Sequence, residues 1–264
     1  MRKYWAFFRA NIQNTLTYRG PIFVWLISNI LVLATIVAVW LSSSAGQAIG
    51  GYTKPELISY YVTALFLQWL TGWFPFYGIV DEIKHGTIIL TSLLKPFSFF
   101  WRKFAEELGW HTVSSIIGVV ASLIIALALK RYIVFSFFPE RILLSIMAII
   151  LAIFVVFSMS LCLGLLAFWF TEVSAVDSLF WAGRTILGGQ GIPISFIPGI
   201  FQTVVRILPF RYMFSFPLEI YFGKLTGSEI IQGIVMQIIW TMAFVWIYRL
   251  MWERGRKVYA AFGQ

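Results

Sequence analysis

The sequence predicts an all-α polytopic membrane protein. It reads as six transmembrane helices, an amino-terminal interfacial helix, a short cytoplasmic helix after the second span, and re-entrant extracellular-side helices before the last span. Three observations predict this. Of 264 residues, 60% are hydrophobic and only 12% charged, against roughly 45–50% and 25% in a soluble domain. The apolar residues form long continuous runs rather than alternating, which favours helices over the strands of a closed barrel. The runs also approach the ~20 residues needed to cross a bilayer. Residues 1–264 therefore read as a single transmembrane domain.

Residues 1–19 form the interfacial helix. At about 100° per residue, Trp5, Phe8, Ile12 and Leu16 share one stripe, flanked by Arg2 and Arg9. Such a helix lies in the headgroup plane with its arginines snorkelling. Phe7 departs from the pattern by pointing to the polar side. Gly20-Pro21 ends this helix and starts the next.

The spans are expected at 22–41, 57–80, 108–129, 142–170, 173–190 and 228–249. The first is longer than the roughly 7–15 residues of a signal-peptide core, so it reads as an uncleaved span. Between the second and third lies 81–100, "DEIKHGTIILTSLLKPFSFF". It is too polar to cross and too apolar for a solvated loop. Gly86-Thr87 suits a helix start with Thr87 as N-cap, and Lys95-Pro96 suits its stop. Ile88, Leu90, Leu93 and Leu94 give that helix an apolar side. Asp81, Glu82, Lys84 and His85 give it charges. Residues 192–223 carry Pro193, Pro198, Pro209 and Pro217 among apolar positions. No uninterrupted span fits there, and short broken helices dipping in from one side do.

Even parity puts both termini on one side. Lys and Arg are more numerous on the side holding the termini and residues 81–100, which makes that side cytoplasmic. The expected location is the plasma or inner membrane, with many passes. The net charge of +9 sits mostly in short segments between apolar runs. Membrane lipids are then the partner of those bases, and nucleic acid is not.

The chemistry-bearing residues are few. No GxxxxGK[ST] run occurs, so no P-loop is expected. Two histidines and one cysteine, Cys162, leave no metal-ligand spacing and no catalytic set. The chain is thus expected to be no enzyme and to bind no cofactor itself. In the second run Trp69, Trp73 and Tyr77 recur at i, i+4 and i+8, with Phe66 extending the face. This face either lines an apolar cavity or packs against neighbouring helices. Asp177 and Arg184 lie seven apart on one helical face. Charges in a span tend to pair or to face a cavity, so the two read as a substrate-path or gating pair, a structural ion pair, or headgroup contacts.

The order of these elements resembles the ABC-2 (type V exporter) permeases of ABC transporters, in the branch with a stand-alone six-span membrane subunit. Three segments carry the resemblance: "ISYYVTALFL", "DEIKHGTIILTSLLKPFS", and "GGQGIPISFIPGIFQTVVRILPFRYMFSFPLEIYFGKLTG". Ile83, Gly86, Leu93, Leu94 and Pro96 match the family pattern after the second span. Gly191, Pro193, Pro198, Leu208, Pro209, Phe210, Pro217 and Gly223 match the pattern before the last. The resemblance implies an exporter that moves substrate out of the cytoplasm or inner leaflet. It implies a second permease, either an identical copy or a related paralogue, and two cytoplasmic ABC ATPase subunits that hold ATP and Mg. Residues 81–100 would be the coupling helix, and they and the interfacial helix would dock on the ATPases. The broken helices would cap the exit side. Two other readings stand beside this one: a transporter or channel without an ATPase, and a lipid-modifying enzyme built on Glu172, Asp177, Arg184 and Arg206.

Overall fold

In a computed structural model of the protein, the described residues are 2–42, 50–72, 76–88, 91, 97–135 and 137–261. They are helical, with no strand among them. In chain order the helices are α1 (Arg2–Thr17), α2 (Gly20–Ser42), α3 (Lys54–Leu70), α4 (Phe76–Lys84), α5 (Phe99–Ala128), α6 (Pro139–Leu165), α7 (Ser174–Leu187), α8 (Gly199–Ile207), α9 (Pro209–Met213), α10 (Ser215–Tyr221) and α11 (Gly227–Ala261). Short 3-10 turns at Leu166–Phe168 and Ile194–Phe196 follow α6 and precede α8.

Among the described residues four helical segments are long and apolar enough to cross a membrane: Gly20–Ser42, Phe99–Ala128, Pro139–Phe168 and Gly227–Val258. Helix α6 is the central one. Its Ala148, Ala152, Val155, Val156, Phe157 and Leu161 are essentially inaccessible, and α4, α10 and α11 pack around it. Helix α2 is peripheral, with only Ile22, Leu33 and Val37 buried along its length.

The second run departs from one continuous helix. Helix α3 ends at Leu70 and α4 begins at Phe76. Gly72 and Pro75 lie between them in the sequence, and both residue types disfavour helix continuation. The third run begins earlier than its apolar part. Helix α5 takes in Arg102, Lys103, Glu106 and Glu107, because those charges find partners within the protein. Helix α7 has only 14 residues, about 21 Å at 1.5 Å per residue.

Helix α1 packs on α5 rather than presenting the expected stripe. Trp5 and Leu16 are exposed, while Thr15 is buried and Phe7, Phe8, Asn11 and Ile12 are half-buried. Phe7, expected on the polar side, meets the Phe97 ring edge-on at 5.6 Å. Arg9 is exposed, and the side chain of Arg2 lies outside the described residues. Gly109 sets this face. A Cβ there would come within 2.7 Å of the Phe8 carbonyl oxygen, so only glycine permits the close crossing.

The proline-rich segment is short and broken, as its prolines require. Pro193 and Pro198 cap the 3-10 turn and α8, and Pro209 opens α9. Around Pro193 and from Pro209 to Ile220 this segment is mostly buried in protein, while α8 between them is largely exposed. Tyr60 and Tyr61 donate to the carbonyls of Gly189 and Gly191 at 2.6 and 3.2 Å. Gln237 bridges the carbonyls of Ala148 and Tyr212, both at 2.9 Å. Ser145 donates to the Pro217 carbonyl at 3.2 Å. Phe210 lies against Gly183 and Phe180 of α7.

Candidate functional site: an aromatic cavity and a clamped segment

Where α3 breaks, five helices leave a cavity of about 310 Å3. Trp25 from α2, Trp69 from α3, Tyr77 from α4, Trp110 from α5, and Trp181 and Arg184 from α7 line it. Trp69 is buried with its ring against Gly118 of α5, where no Cβ would fit. Trp25 and Trp181 stack with centroids 6.1 Å apart. Trp25 and Tyr77 are 43% and 45% exposed, so the cavity reaches the protein surface beside them.

Of the residues predicted for the substrate path, Trp69, Tyr77 and Arg184 therefore meet. They do so across three helices, not along one face, because the helix ends between Trp69 and Tyr77. Phe66 does not join them. It lines a second apolar cavity, of about 420 Å3, between α3, α5, α6 and α10. Trp73 lies outside the described residues.

Asp177 and Arg184 do not pair. The Tyr77 hydroxyl donates to Asp177 Oδ2 at 2.9 Å. Arg184 is 1% exposed and turns to the end of α3, donating to the Gly72 and Thr71 carbonyls and the Thr71 hydroxyl at 3.2–3.3 Å. Each charge answers a helix end. Asp177 sits in the first turn of α7, and Arg184 meets the C-terminal carbonyls of α3.

The second feature joins α4 to α5. Glu82 accepts from Arg102 at 2.6 and 3.1 Å and from Lys103 at 2.6 Å. Glu106 accepts from Arg102 at 2.6 Å and pairs with Lys103 at 3.0 Å. Arg102 and Lys103 are buried, and both carboxylates are largely so. Burial alone would push the Glu82 carboxyl up, but the Arg102 hydrogen bonds and the Lys103 charge hold it below the usual carboxylate range.

This corrects the reading of the segment's charges. Glu82 is spent inside the protein and is not free for a partner's rim. Ile83 and Ile88 also face inward, into the core around Phe99, Val155 and Leu161. Gly86 takes a positive φ of 75° and stops α4, with the His85 amide donating to the Asp81 carbonyl at 2.9 Å. Thr87 is already helical and does not cap a new start; its hydroxyl reaches back to the Glu82 carbonyl at 3.5 Å. Asp81, Lys84 and His85 remain exposed. Leu90, Leu93, Leu94 and Pro96 lie outside the described residues.

A family model described as ABC-2 family transporter protein matches residues 23–263. The chain belongs to the ABC-2 transporter family. It is a multi-pass membrane permease of the ABC transporter class. The match begins within α2 and runs past the end of α11, so in this ABC-2 chain it takes in the clamp and every cavity-lining residue but Pro21 and Ile22, while α1 precedes it. Comparison with curated proteins and with solved structures found no match.

Sequence reasoning missed two parts of the site in this ABC-2 permease. The Arg102–Lys103–Glu106 set carried a local signal, since its i,i+3 and i,i+4 spacing marks pairs on a helix. Trp25, Trp110 and Trp181 carried none, because their meeting depends on how three separate helices pack.

Proposed function

We propose that this chain is the permease subunit of an ATP-driven exporter, moving substrate out of the cytoplasm or inner leaflet. Two permeases, identical or related, would form the pathway. Two cytoplasmic ATPase subunits would hold ATP and Mg and supply the hydrolysis. Six crossings follow on this reading. They are α2, α3 with α4 as a broken crossing, α5, α6, the short α7, and α11. Both termini and residues 81–100 then face the cytoplasm of a plasma or inner membrane. The broken helices of 192–223 lie at the exit side.

One observation carries the reading. Helix α4 has nine residues and joins the two features described above. Tyr77 near its start lines the cavity, and Glu82 near its end is clamped to α5. The exposed Asp81, Lys84 and His85 sit at that same end and offer rim charges to a docked subunit. Energy released in a separate subunit must enter through a contact surface. A push on residues 81–88 would travel along about 7 Å of rigid helix to the cavity wall.

The test is reconstitution of the chain with a candidate ATPase subunit from its own gene neighbourhood. Association and a raised ATPase rate on adding the chain are expected. Neither occurring with any candidate ATPase would sink the reading.

A further inference from the structure

Two hydrogen-bond donors at the aromatic cavity have no acceptor among the described residues. Arg184 Nε and Trp69 Nε1 are both buried and unpartnered among the described residues. Both side chains line the cavity, and they are 1% and 7% exposed. An arginine and an indole can only donate, so what each lacks is an acceptor. Arg184 also carries a charge, and its acceptors are neutral oxygens at 3.2–3.3 Å. No ion pair among the described residues includes it. Trp25, Trp110, Trp181 and Tyr77 give the rest of the wall flat apolar faces, beside Pro21, Ile22, Gly72 and the side-chain amides of Asn29 and Gln68.

We propose that this cavity binds an amphipathic anion: an apolar, preferably ring-bearing body against the tryptophans, with one carboxylate, sulfonate or phosphate group reaching Arg184 and Trp69. A volume of about 310 Å3 is at the lower end of ligand pockets, roughly 300–1,000 Å3, and suits a small amphiphile better than a two-chain lipid. The exposed Pro21, Trp25 and Tyr77 mark its entrance. That the bound anion is cargo rests on the permease reading; that it binds does not.

The experiment uses two probes that share their rings and differ by one sulfonate: 8-anilinonaphthalene-1-sulfonate and N-phenyl-1-naphthylamine. The full chain is placed in discs of phosphatidylcholine, and saturable energy transfer from tryptophan to each probe is read against empty discs. The sulfonate should bind about tenfold more tightly than the neutral probe, the equivalent of one charge-assisted hydrogen bond. Arg184→Gln should abolish that preference while leaving the neutral probe unaffected. Trp69→Phe keeps an aromatic side chain but removes the indole N–H donor, and should narrow the preference about threefold, the worth of one neutral hydrogen bond. Asn29→Phe, which fills the cavity from α2, should weaken both probes. Equal affinity of the two probes in the wild type overturns the proposal, as does a preference that survives Arg184→Gln in monodisperse protein. If Arg184→Gln does not stay monodisperse, Trp69→Phe and the wild-type ratio decide. Doping the discs with phosphatidylglycerol separates the sources. Competition assigns the site to a bilayer anion, and undiminished probe binding assigns it to a free amphiphile. ATPase association is read separately. A chain that recruits an ATPase but shows no anion preference loses this site and keeps the permease reading; the reverse result keeps the site alone.

Discussion

Two of the buried arginines, Arg102 and Arg184, are treated in opposite ways. Arg102 is 2% exposed and meets two carboxylates, Glu82 and Glu106. Arg184 is 1% exposed and among the described residues meets none, only neutral oxygens at a helix end. The first is neutralised by its own chain and so fastens two helices together. The second leaves positive charge beside an aromatic cavity. A buried charge without a counter-charge costs several kcal/mol, and a protein retains one where something else answers it. The difference separates a structural joint from a binding wall.

The largest expected effect comes from breaking the joint. Glu82→Gln leaves two buried cations facing one carboxylate and should destabilise the protein by about 3–5 kcal/mol. A thermal-unfolding series in detergent measures it, and an unchanged midpoint would make the cluster dispensable. Adding Arg102→Met to Glu82→Gln removes the excess charge. The double variant should recover about half of the loss, because paired charges replaced together cost far less than one left alone. A double loss equal to the sum of the singles would refute the coupling between them.

Arg184→Gln sharpens the other half of the comparison. It forfeits hydrogen bonds to the end of α3 but relieves an uncompensated charge, so the net change should be about 1 kcal/mol. The same unfolding assay reads it, and a loss as large as that of Glu82→Gln would make Arg184 a structural joint after all.

The smallest effect is in pH. Glu82 has a folded pKa held below its ordinary value of 4.5. The stability it contributes is therefore complete above that value and is lost as pH falls through the lower, folded one. Midpoints between about pH 5 and pH 3 should fall more steeply for the wild type than for Glu82→Gln. Parallel curves would mean that Glu82 titrates normally.

Much of the fold was legible in residue order. The apolar runs announced the long helices, and Pro193, Pro198 and Pro209 announced short ones, because proline can start a helix but not continue one. The misreadings share one cause. Trp5, Phe8, Ile12 and Leu16 share an apolar stripe, yet α1 packs through Phe7, Phe8, Ile12 and Thr15 and leaves Trp5 and Leu16 exposed, since Gly109 of α5 decides which face comes close. Ile88 belonged to the expected apolar side of residues 81–100 and instead fills the protein's own core, together with Ile83. Periodicity says that a face is apolar, not what covers it.

The candidate site divides in the same way. Trp69, Tyr77 and Arg184 were identifiable from type and position, since a charge or an aromatic row within an apolar run stands out. Their arrangement was not, because the run breaks at Gly72 and its two halves meet residues from α2, α5 and α7.

By itself, then, the sequence determined a membrane chain of helices with no nucleotide-binding loop. Those properties rest on composition and on hydrogen bonds between residues four apart, which lipid reads locally. Only the tertiary structure decided which charges cancel and which do not. Glu82 meets Arg102, 20 positions away in the sequence, while Asp177 and Arg184, seven apart on one helix, each find another partner. In a medium that offers no water, a charge takes the nearest group that packing delivers, and sequence distance does not set that.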